Sequence, residues 1–200
     1  MKLLVAAFVL AACLLASAQT GAPPQKPEAA VRPGDEPAAT AKPVSFRLKG
    51  IDGKIYDSTA MTCEVLVVSF GATWCVPCVW ELVAIEELKE EYARKPVRFL
   101  WVSIEDAERT SDNILRHYAR ERGLTIPVLR DPTLAAYSQF STTTRIPLVA
   151  FFDREGRFNA PAHRGMPQDL TLYKKLVRDR VNALLEAKAV GAAPPAAAER

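Results

Sequence analysis

The chain is organised around residues 70–78, which read Phe70-Gly71-Ala72-Thr73-Trp74-Cys75-Val76-Pro77-Cys78. The apolar residues before this stretch predict a buried strand, and those after it recur at helical spacing. A Cys-X-X-Cys motif is therefore expected at the N-terminus of a helix. Free backbone N–H groups and the helix dipole favour a thiolate there, so Cys75 is the predicted nucleophile. Cys78, one turn further on, can attack a mixed disulfide on Cys75 and is the predicted resolving thiol.

Two other interpretations of the cysteine pair are weaker. A structural zinc site needs four ligands, and the remaining candidates are scattered through the sequence as Cys63, His117 and His163. A purely structural disulfide would close a very small loop and would add little stability. We therefore interpret the pair as a redox site that uses no metal and no other cofactor.

The first 18 residues have the features of an export signal. A basic start, Met1-Lys2, is followed by an apolar stretch over residues 3–15 and by the small residues Ala16-Ser17-Ala18. Leu10-Ala11-Ala12-Cys13 offers an alternative, because it resembles a bacterial lipobox, in which Cys13 would be lipidated and would anchor the protein to a membrane. Both alternatives place the folded domain outside the cytoplasm, with the periplasm as the expected compartment, where disulfides persist.

Composition divides the rest of the chain into three parts. Residues 19–43 contain six of the fifteen prolines among alanine and charged residues, and they are expected to form a disordered linker. Residues 44–188 are long enough for one domain with a hydrophobic core. Residues 189–200, rich in alanine, are expected to form a disordered tail. The formal net charge is only +3 and the basic residues are dispersed, so a nucleic-acid partner is not implied.

Strands and helices alternate along residues 44–188. The patterns predict a hairpin over residues 44–57, followed by strands over 64–70, 97–103, 126–129 and 147–152 and a partner strand near 157–162. They predict helices over 76–93, 111–122, 131–140 and 168–187. The first of these helices carries apolar residues at helical spacing, namely Leu82, Ile85, Leu88 and Tyr92, and the last is expected to bury Leu172, Leu176, Val177, Val181 and Leu184. This order is typical of an α/β fold in which helices cover both faces of a mixed sheet.

These features resemble the exported thioredoxin-like proteins of the TlpA/ResA type, which include the thioredoxins of cytochrome c maturation. The resemblance covers about residues 44–187 and is most specific in the opening hairpin, in residues 72–78 and in residues 146–156. The helix and strand within residues 111–129 match the insertion that separates this family from minimal thioredoxins. The resemblance implies a thioredoxin-like fold, thiol–disulfide exchange, protein disulfides as substrates and an upstream thiol electron donor.

The resemblance also implies roles for individual residues. Cys75 is similar to the attacking thiol of the family and Cys78 to the resolving thiol. Trp74 matches an aromatic residue that packs beside the pair. Pro147 falls on the position of a cis-proline, which lies against the disulfide and leaves the backbone of Ile146 free to pair with an extended substrate.

Glu81 matches a glutamate that many members keep near the active site, where it tunes a thiol or carries its proton. The alternative is a solvated side chain on the helix surface. Ser69 stands where minimal thioredoxins hold a buried aspartate, and Val83 stands where family members often carry proline, which predicts a straighter helix. Cys63 is expected to be a small, half-buried side chain, with a third redox thiol as the alternative.

The leading interpretation is a periplasmic oxidoreductase that reduces protein disulfides, and the resemblance implies a role in cytochrome c maturation. The direction depends on the reduction potential, which Val76-Pro77 does not determine. The second interpretation is a copper chaperone that binds Cu(I) through Cys75 and Cys78. Related copper carriers space their thiols further apart and add a histidine, for which His163 is the late candidate.

Overall fold

The structure, a computed structural model, describes residues 43–187. The expected export signal, the alternative lipidation site at Cys13, nearly all of the expected linker and the expected tail lie outside the described residues. Within residues 43–187 the strands are β1 (Arg47–Gly50), β2 (Ile55–Asp57), β3 (Val65–Gly71), β4 (Val97–Ser103), β5 (Val128–Arg130), β6 (Leu148–Phe152) and β7 (His163–Arg164). The helices are α1 (Val76–Glu91), α2 (Asp112–Glu121) and α3 (Leu170–Glu186), and a short 3-10 helix covers Tyr137–Gln139.

The strands form one mixed sheet in the order β2-β1-β5-β4-β3-β6-β7. Strands β3, β4 and β5 run parallel to one another, as strands linked through helices do. Strand β1 pairs antiparallel with β2 and β5, and β6 pairs antiparallel with β3 and β7. The hairpin and the mixed sheet predicted from the sequence are therefore confirmed.

Strand β3 lies in the middle of the sheet, and all seven of its residues are buried. Successive side chains of a strand point to opposite faces, so Val65, Val67, Ser69 and Gly71 share one face. The first two are apolar and pack in the core, whereas Ser69 and Gly71 are small residues near the end of the strand. This end of β3 leads directly into the cysteine motif and α1.

Two hydrophobic layers pack against the two faces of the sheet. The layer that contains Val65, Val67 and Trp101 also contains the buried apolar residues of α1, α2 and α3. The opposite layer contains Leu66, Val68 and Phe70, and Phe46 and Tyr137 cover it from outside the central strands. Burial of both faces explains why β3 is apolar almost throughout. Helical structure thus covers both faces, although the second carries only the short 3-10 helix.

Each of the three α-helices begins at a residue whose side chain accepts a backbone N–H. Cys75 caps α1, Ser111 caps α2 and Asp169 caps α3, and each offers an acceptor to the first turn of its helix. Gly123, at φ +63°, follows the end of α2, where the left-handed conformation suits glycine. No helix within residues 43–187 is both long enough and apolar enough to cross a membrane.

The predicted helix over residues 131–140 is wrong, because only the 3-10 turn Tyr137–Gln139 forms there. The Asp131 carboxylate accepts the backbone N–H groups of Ala136 and Tyr137, at 3.1 and 2.8 Å. Leu134 adopts a positive φ of 60°, which an α-helix does not permit. The acidic side chain therefore satisfies N–H groups that a regular helix would have paired with carbonyl oxygens.

The partner strand predicted near residues 157–162 is displaced along the chain. Phe158 forms an isolated bridge with Phe152, and regular pairing with β6 resumes only at β7, residues His163–Arg164. Pro161 lies between these two points and has no N–H to donate to a ladder. The hairpin after β6 is thus interrupted at the proline.

The last helix buries a different set of residues from the one predicted. Tyr173, Val177, Val181 and Leu184 are its buried residues, and three of these were predicted. Leu172, which was also predicted to be buried, is 56% exposed. Tyr173 occupies the buried position one residue further on, and its hydroxyl reaches the active-site helix.

Candidate active site

Cys75 and Cys78 are joined by a disulfide, and their Cα atoms are 5.2 Å apart. Cys75 is the N-cap of α1, and the backbone N–H of Cys78 donates to the Cys75 sulfur at 3.3 Å. In the dithiol form this N–H and the positive end of the helix dipole would stabilise a thiolate on Cys75. The local geometry thus favours Cys75 as the more acidic thiol.

Cys78 lies fully buried, whereas Cys75 keeps 5% of its surface exposed. Gly71 makes room for Cys78: a Cβ at that position would lie 3.3 Å from the Cys78 sulfur and 2.8 Å from Nε1 of Trp101. The distance of 2.8 Å is shorter than Cβ atoms in folded proteins show, so a larger residue at position 71 would force neighbouring atoms to shift. The end of β3 and the first turn of α1 therefore approach each other closely because residue 71 is glycine.

Glu81 is buried completely and is not the solvated helix residue of the alternative interpretation. Its carboxylate accepts hydrogen bonds from the hydroxyls of Ser69 and Tyr173, both at 2.5 Å. Burial raises the pKa of Glu81 to about 7, although the two hydrogen bonds act in the opposite direction. A carboxyl that exchanges its proton near neutral pH therefore lies one helical turn after Cys78, on the buried side of α1.

Tyr173 was missed by the sequence analysis, which placed Leu172 in the core instead. Tyr173 is completely buried, and burial together with the charge of Glu81 raises its pKa well above the usual value. Its hydroxyl is therefore a neutral donor to Glu81. A tyrosine on the apolar side of a helix was the available signal, since a buried phenol needs a polar partner.

Glu105, like Glu81, is a buried carboxylate, but it was not identified from the sequence. It accepts the backbone N–H and the hydroxyl of Thr73, at 2.9 and 2.7 Å, and the hydroxyls of Ser103 and Thr110. Glu105 follows the end of β4, next to the end of β3, so the parallel ladder brings it to the loop before Cys75. These hydrogen bonds fix the loop from which α1 begins.

The peptide bond between Ile146 and Pro147 is cis, as the resemblance implied. Ile146 packs against the small cluster of Ala72, Cys75 and Cys78. The segment before β6 thus borders the disulfide through Ile146. Its role in binding a substrate stays a prediction.

Trp74 is 71% exposed, and its packing beside the cysteine pair stays a prediction. It borders a groove whose other residues include Ile104, Arg109 and Leu134. The hydrogen bonds of Thr73 to Glu105 hold the preceding residue against the fold and leave Trp74 facing outward.

The remaining candidate ligands lie in other places. Cys63 is exposed and not half-buried, and its φ of 73° turns the chain just before β3. His117 is exposed on α2, 3.1 Å from Glu121. His163 lies on β7 with its ring 6.5 Å from that of Tyr173, and burial lowers its pKa, with Arg180 adding to the effect.

Within residues 43–187, no group of three or more histidine, cysteine or acidic side chains is arranged to hold a metal ion. The zinc alternative finds no support in the described part of the chain. The copper alternative expected His163 as an additional ligand, but within residues 43–187 His163 forms no metal-binding group with the two cysteines.

The sequence profile of the Redoxin family matches residues 36–169. The thioredoxin-like protein YneN of Bacillus subtilis is 35% identical over 86 residues, which cover 43% of this chain and 49% of that protein. The thiol-disulfide oxidoreductase ResA of Oceanobacillus iheyensis is 32% identical over 90 residues, or 43% and 45% of the two chains. The chain thus spans about half the length of the curated relatives it matches.

Solved structures share the fold at low sequence identity. A thiol:disulfide interchange protein of Chlorobium tepidum superposes with a TM-score of 0.57 at 21% identity, covering 72% of this chain and 99% of that one. A lipoprotein thioredoxin of Streptococcus pneumoniae gives a TM-score of 0.55 at 24% identity, covering 70% and 99%. The fold is therefore thioredoxin-like. The matches to YneN and ResA support the resemblance to the TlpA/ResA type, and the chain belongs to the Redoxin family.

Proposed function

We propose that this protein is a thiol–disulfide oxidoreductase that reduces disulfides of other proteins through Cys75 and Cys78. The observation that carries the proposal is the disulfide at the start of α1, where the Cys78 N–H donates to the Cys75 sulfur. Such a donor stabilises the thiolate that must attack a substrate. The name of the relative from Oceanobacillus iheyensis, thiol-disulfide oxidoreductase, supports the same activity.

The proposed reaction has two steps. The Cys75 thiolate attacks one sulfur of the substrate disulfide, and the other substrate sulfur leaves as a thiolate that takes up a proton. Cys78 then loses its proton and attacks the Cys75 sulfur, which releases the second substrate thiol and forms the Cys75–Cys78 disulfide. The substrate gains two electrons and the protein loses two, so an upstream thiol donor must reduce the disulfide again.

Glu81 is the proposed acceptor of the Cys78 proton. Residues three apart on a helix lie on the same face, and both Cys78 and Glu81 are completely buried on the inner side of α1. A carboxyl with a pKa of about 7 can accept a proton from a thiol near neutral pH and release it afterwards. Ser69 and Tyr173 hold the carboxylate in place through their hydroxyls.

The surface next to Cys75 supports a protein substrate. Trp74, Val76, Trp80 and Val83 are exposed by 71, 60, 48 and 49% of their surfaces. The last three lie at positions i, i+4 and i+7 of α1 and therefore share one side of the helix. Contiguous exposed apolar residues commonly mark protein interaction sites. Together with Ile146 and Pro147, they form the surface that we assign to the polypeptide around the substrate disulfide.

An extracytoplasmic site of action, with the periplasm as the expected compartment, is part of the proposal. The signal-like residues 1–18 support it. Lipid attachment at Cys13 is the alternative to soluble export. A place in cytochrome c maturation follows only from the resemblance to the TlpA/ResA type and belongs to the same proposal.

Reduction of insulin disulfides by dithiothreitol tests the activity. We expect the parent protein to accelerate the reaction and Cys75→Ser to abolish the acceleration. Cys63→Ser is the matched control, because this exposed thiol lies outside the proposed site, and it should keep full activity. Unchanged activity in Cys75→Ser would refute the proposed function.

A further inference from the structure

Trp101 carries a polar atom that the proposed reaction does not yet use. The side chain is completely buried on β4, and among residues 43–187 no acceptor forms a hydrogen bond with its Nε1. An indole nitrogen is a donor only, and a buried donor without a partner is uncommon in a native structure. An acceptor for this N–H is therefore expected in at least one state of the protein.

Trp101 Nε1 and the Cys78 sulfur both lie close to the side of Gly71 on which a larger residue would carry its Cβ. A Cβ built on Gly71 would lie 2.8 Å from Trp101 Nε1 and 3.3 Å from the Cys78 sulfur. The two atoms thus border the same small space at the end of β3. The Cys78 sulfur forms no hydrogen bond with Nε1 in the disulfide form, as far as the described residues show.

We propose that the indole N–H of Trp101 donates a hydrogen bond to the Cys78 sulfur once the Cys75–Cys78 disulfide has been opened. This inference deepens the proposed function, since it concerns the dithiol form that the reaction requires. A dithiol donor supplies two electrons and two protons, the S–S bond breaks, and the Cys78 sulfur is no longer held at bonding distance from Cys75. It can then move into the space beside Gly71, towards Trp101.

The hydrogen bond from Trp101 to Cys78 is expected only in the dithiol form, because a disulfide sulfur and a thiolate differ as acceptors. A disulfide sulfur is a weak acceptor, whereas a thiolate accepts strong, charge-assisted hydrogen bonds. A donor on the charged form stabilises the Cys78 thiolate, which is the species that attacks the mixed disulfide. Trp101 therefore opposes the effect of Glu81, whose negative charge disfavours a second anion nearby. Trp101 is a positioning residue that acts through Cys78.

The surroundings of Trp101 keep its indole ring in this orientation. Trp101 pairs with Ser69 across the ladder between β4 and β3, so its side chain emerges on the face covered by the helices. Its ring stacks on that of Tyr118 from α2, with centroids 5.6 Å apart and planes inclined by 24°. Stacking limits rotation of the indole, so Nε1 stays next to Gly71.

Few groups near Cys78 change charge over the neutral pH range. Cys75 and Glu81 lie on α1 with Cys78, Tyr173 reaches Glu81 from α3, and Tyr118 contacts Trp101 from α2. Burial raises the pKa of both tyrosines above 10.0, so they remain neutral. A test that follows Trp101 across pH must therefore separate Cys78 from Cys75 and Glu81.

Nuclear magnetic resonance of the 15N-labelled full chain provides that test, because each tryptophan gives one indole N–H signal. After reduction with a phosphine, the Trp101 signal should move downfield and titrate with Cys78 between about pH 6 and 10, around the usual thiol pKa. In reduced Cys78→Ser, which retains Cys75 and Glu81, this titration should be absent. The exposed Trp80 is the internal control, and its signal should not show this titration in either protein.

Trp101→Phe supplies a second readout, because it keeps a ring but removes the donor. It should raise the pKa of Cys78, measured by alkylation, and slow the resolution of a mixed disulfide about tenfold at neutral pH. Tyr92→Phe, which alters a buried aromatic residue at the far end of the active-site helix, should do neither. A Trp101 signal that is unchanged by reduction, or that titrates equally in Cys78→Ser, would overturn the inference. The spectra of the parent chain test the hydrogen bond from Trp101 to Cys78 even if Trp101→Phe does not fold. They also test it if the protein does not reduce insulin, so a failure of this inference can be distinguished from a failure of the proposed function.

Discussion

The hydroxyl of Tyr173 donates a 2.5 Å hydrogen bond to the Glu81 carboxylate and thereby connects the last helix to the active-site helix. The two residues are 92 positions apart in the sequence, and both are completely buried. Ser69 on β3 completes the site from the sheet, at 2.5 Å from the same carboxylate. An ionisable group with a raised pKa is thus built into the core beside the cysteine pair.

Replacing Glu81 by glutamine should remove a pH dependence of stability. Burial raises the pKa of Glu81 to about 7, so the folded chain binds this proton more tightly than the unfolded chain does. The contribution to stability is complete below the unfolded pKa and is lost as pH rises to about 7, by up to about 3 kcal/mol. Urea unfolding of the oxidised protein between about pH 5 and 8 should show this loss in the parent protein but not in Glu81→Gln.

Glu90→Gln is the matched control for that experiment, because Glu90 lies on the same helix and is exposed. Its stability should follow the parent protein at every pH. If Glu81→Gln lost stability with pH as steeply as the parent, the pH dependence would have to be assigned to another group.

Tyr173→Phe should shift the pH profile of mixed-disulfide resolution to higher pH. The tyrosine hydroxyl stabilises the charged form of Glu81, so its loss raises the pKa of Glu81 further and makes the carboxyl available as a base only at higher pH. A hydrogen bond to a charged group contributes about 1.5–3 kcal/mol, which corresponds to one to two pH units. Stopped-flow measurement of resolution across pH would show the shift.

Tyr92→Phe provides the comparison, because the Tyr92 hydroxyl also links α1 to α3, through Asn182 at 3.0 Å. This variant loses a similar contact between the same helices without touching Glu81, so its pH profile should not move. Equal shifts in both variants would mean that looser helix packing, and not the hydrogen bond to Glu81, controls the rate.

Glu105→Gln should destabilise the protein and slow the first attack by Cys75. An amide cannot accept all the hydrogen bonds that Thr73, Ser103 and Thr110 donate to the carboxylate. We expect a loss of about 1–3 kcal/mol in the free energy of unfolding. Glu108→Gln, at an exposed position in the same loop, should change it by less than about 0.5 kcal/mol. Equal stability of the two variants would show that Glu105 does not fix the loop.

The parts of the fold that the sequence predicted correctly depend on local patterns. The apolar run before Cys75 predicts β3, and the apolar spacing of Leu82, Ile85 and Leu88 predicts the buried side of α1, as the structure confirms. The cis bond at Pro147 was expected from the family resemblance, not from any pattern of its own. For β3 and α1 the apolar pattern within a single element was sufficient for the prediction.

Long-range contacts explain what the sequence did not predict. Glu105 reaches Thr73 across 32 positions and Tyr173 reaches Glu81 across 92, and no local pattern reports such pairs.

The helix expected at residues 131–140 did not form for a different reason, since Asp131 accepts the N–H groups of its own turn. Side-chain hydrogen bonds of this kind compete with helix formation but do not alter the apolar spacing on which the prediction depended.

Cys75 should have a thiol pKa below the usual value of about 8.5. It caps α1, and the N–H of Cys78 donates to its sulfur, so the thiolate is stabilised relative to the thiol. The rate of iodoacetamide alkylation measured against pH, with Cys63 and Cys78 replaced by serine, gives this pKa directly. A midpoint at or above about 8.5 would show that the start of the helix does not activate the thiol.

Trapping of a mixed disulfide tests most directly which cysteine attacks the substrate and which one resolves the intermediate. Cys78→Ser, incubated with oxidised insulin, should accumulate a covalent complex held through Cys75, which mass spectrometry can map to that residue. Cys75→Ser should form no such complex, because buried Cys78 does not begin the exchange. A complex that forms through Cys78 in Cys75→Ser, together with none through Cys75 in Cys78→Ser, would contradict the assignment of Cys75 as the attacking thiol.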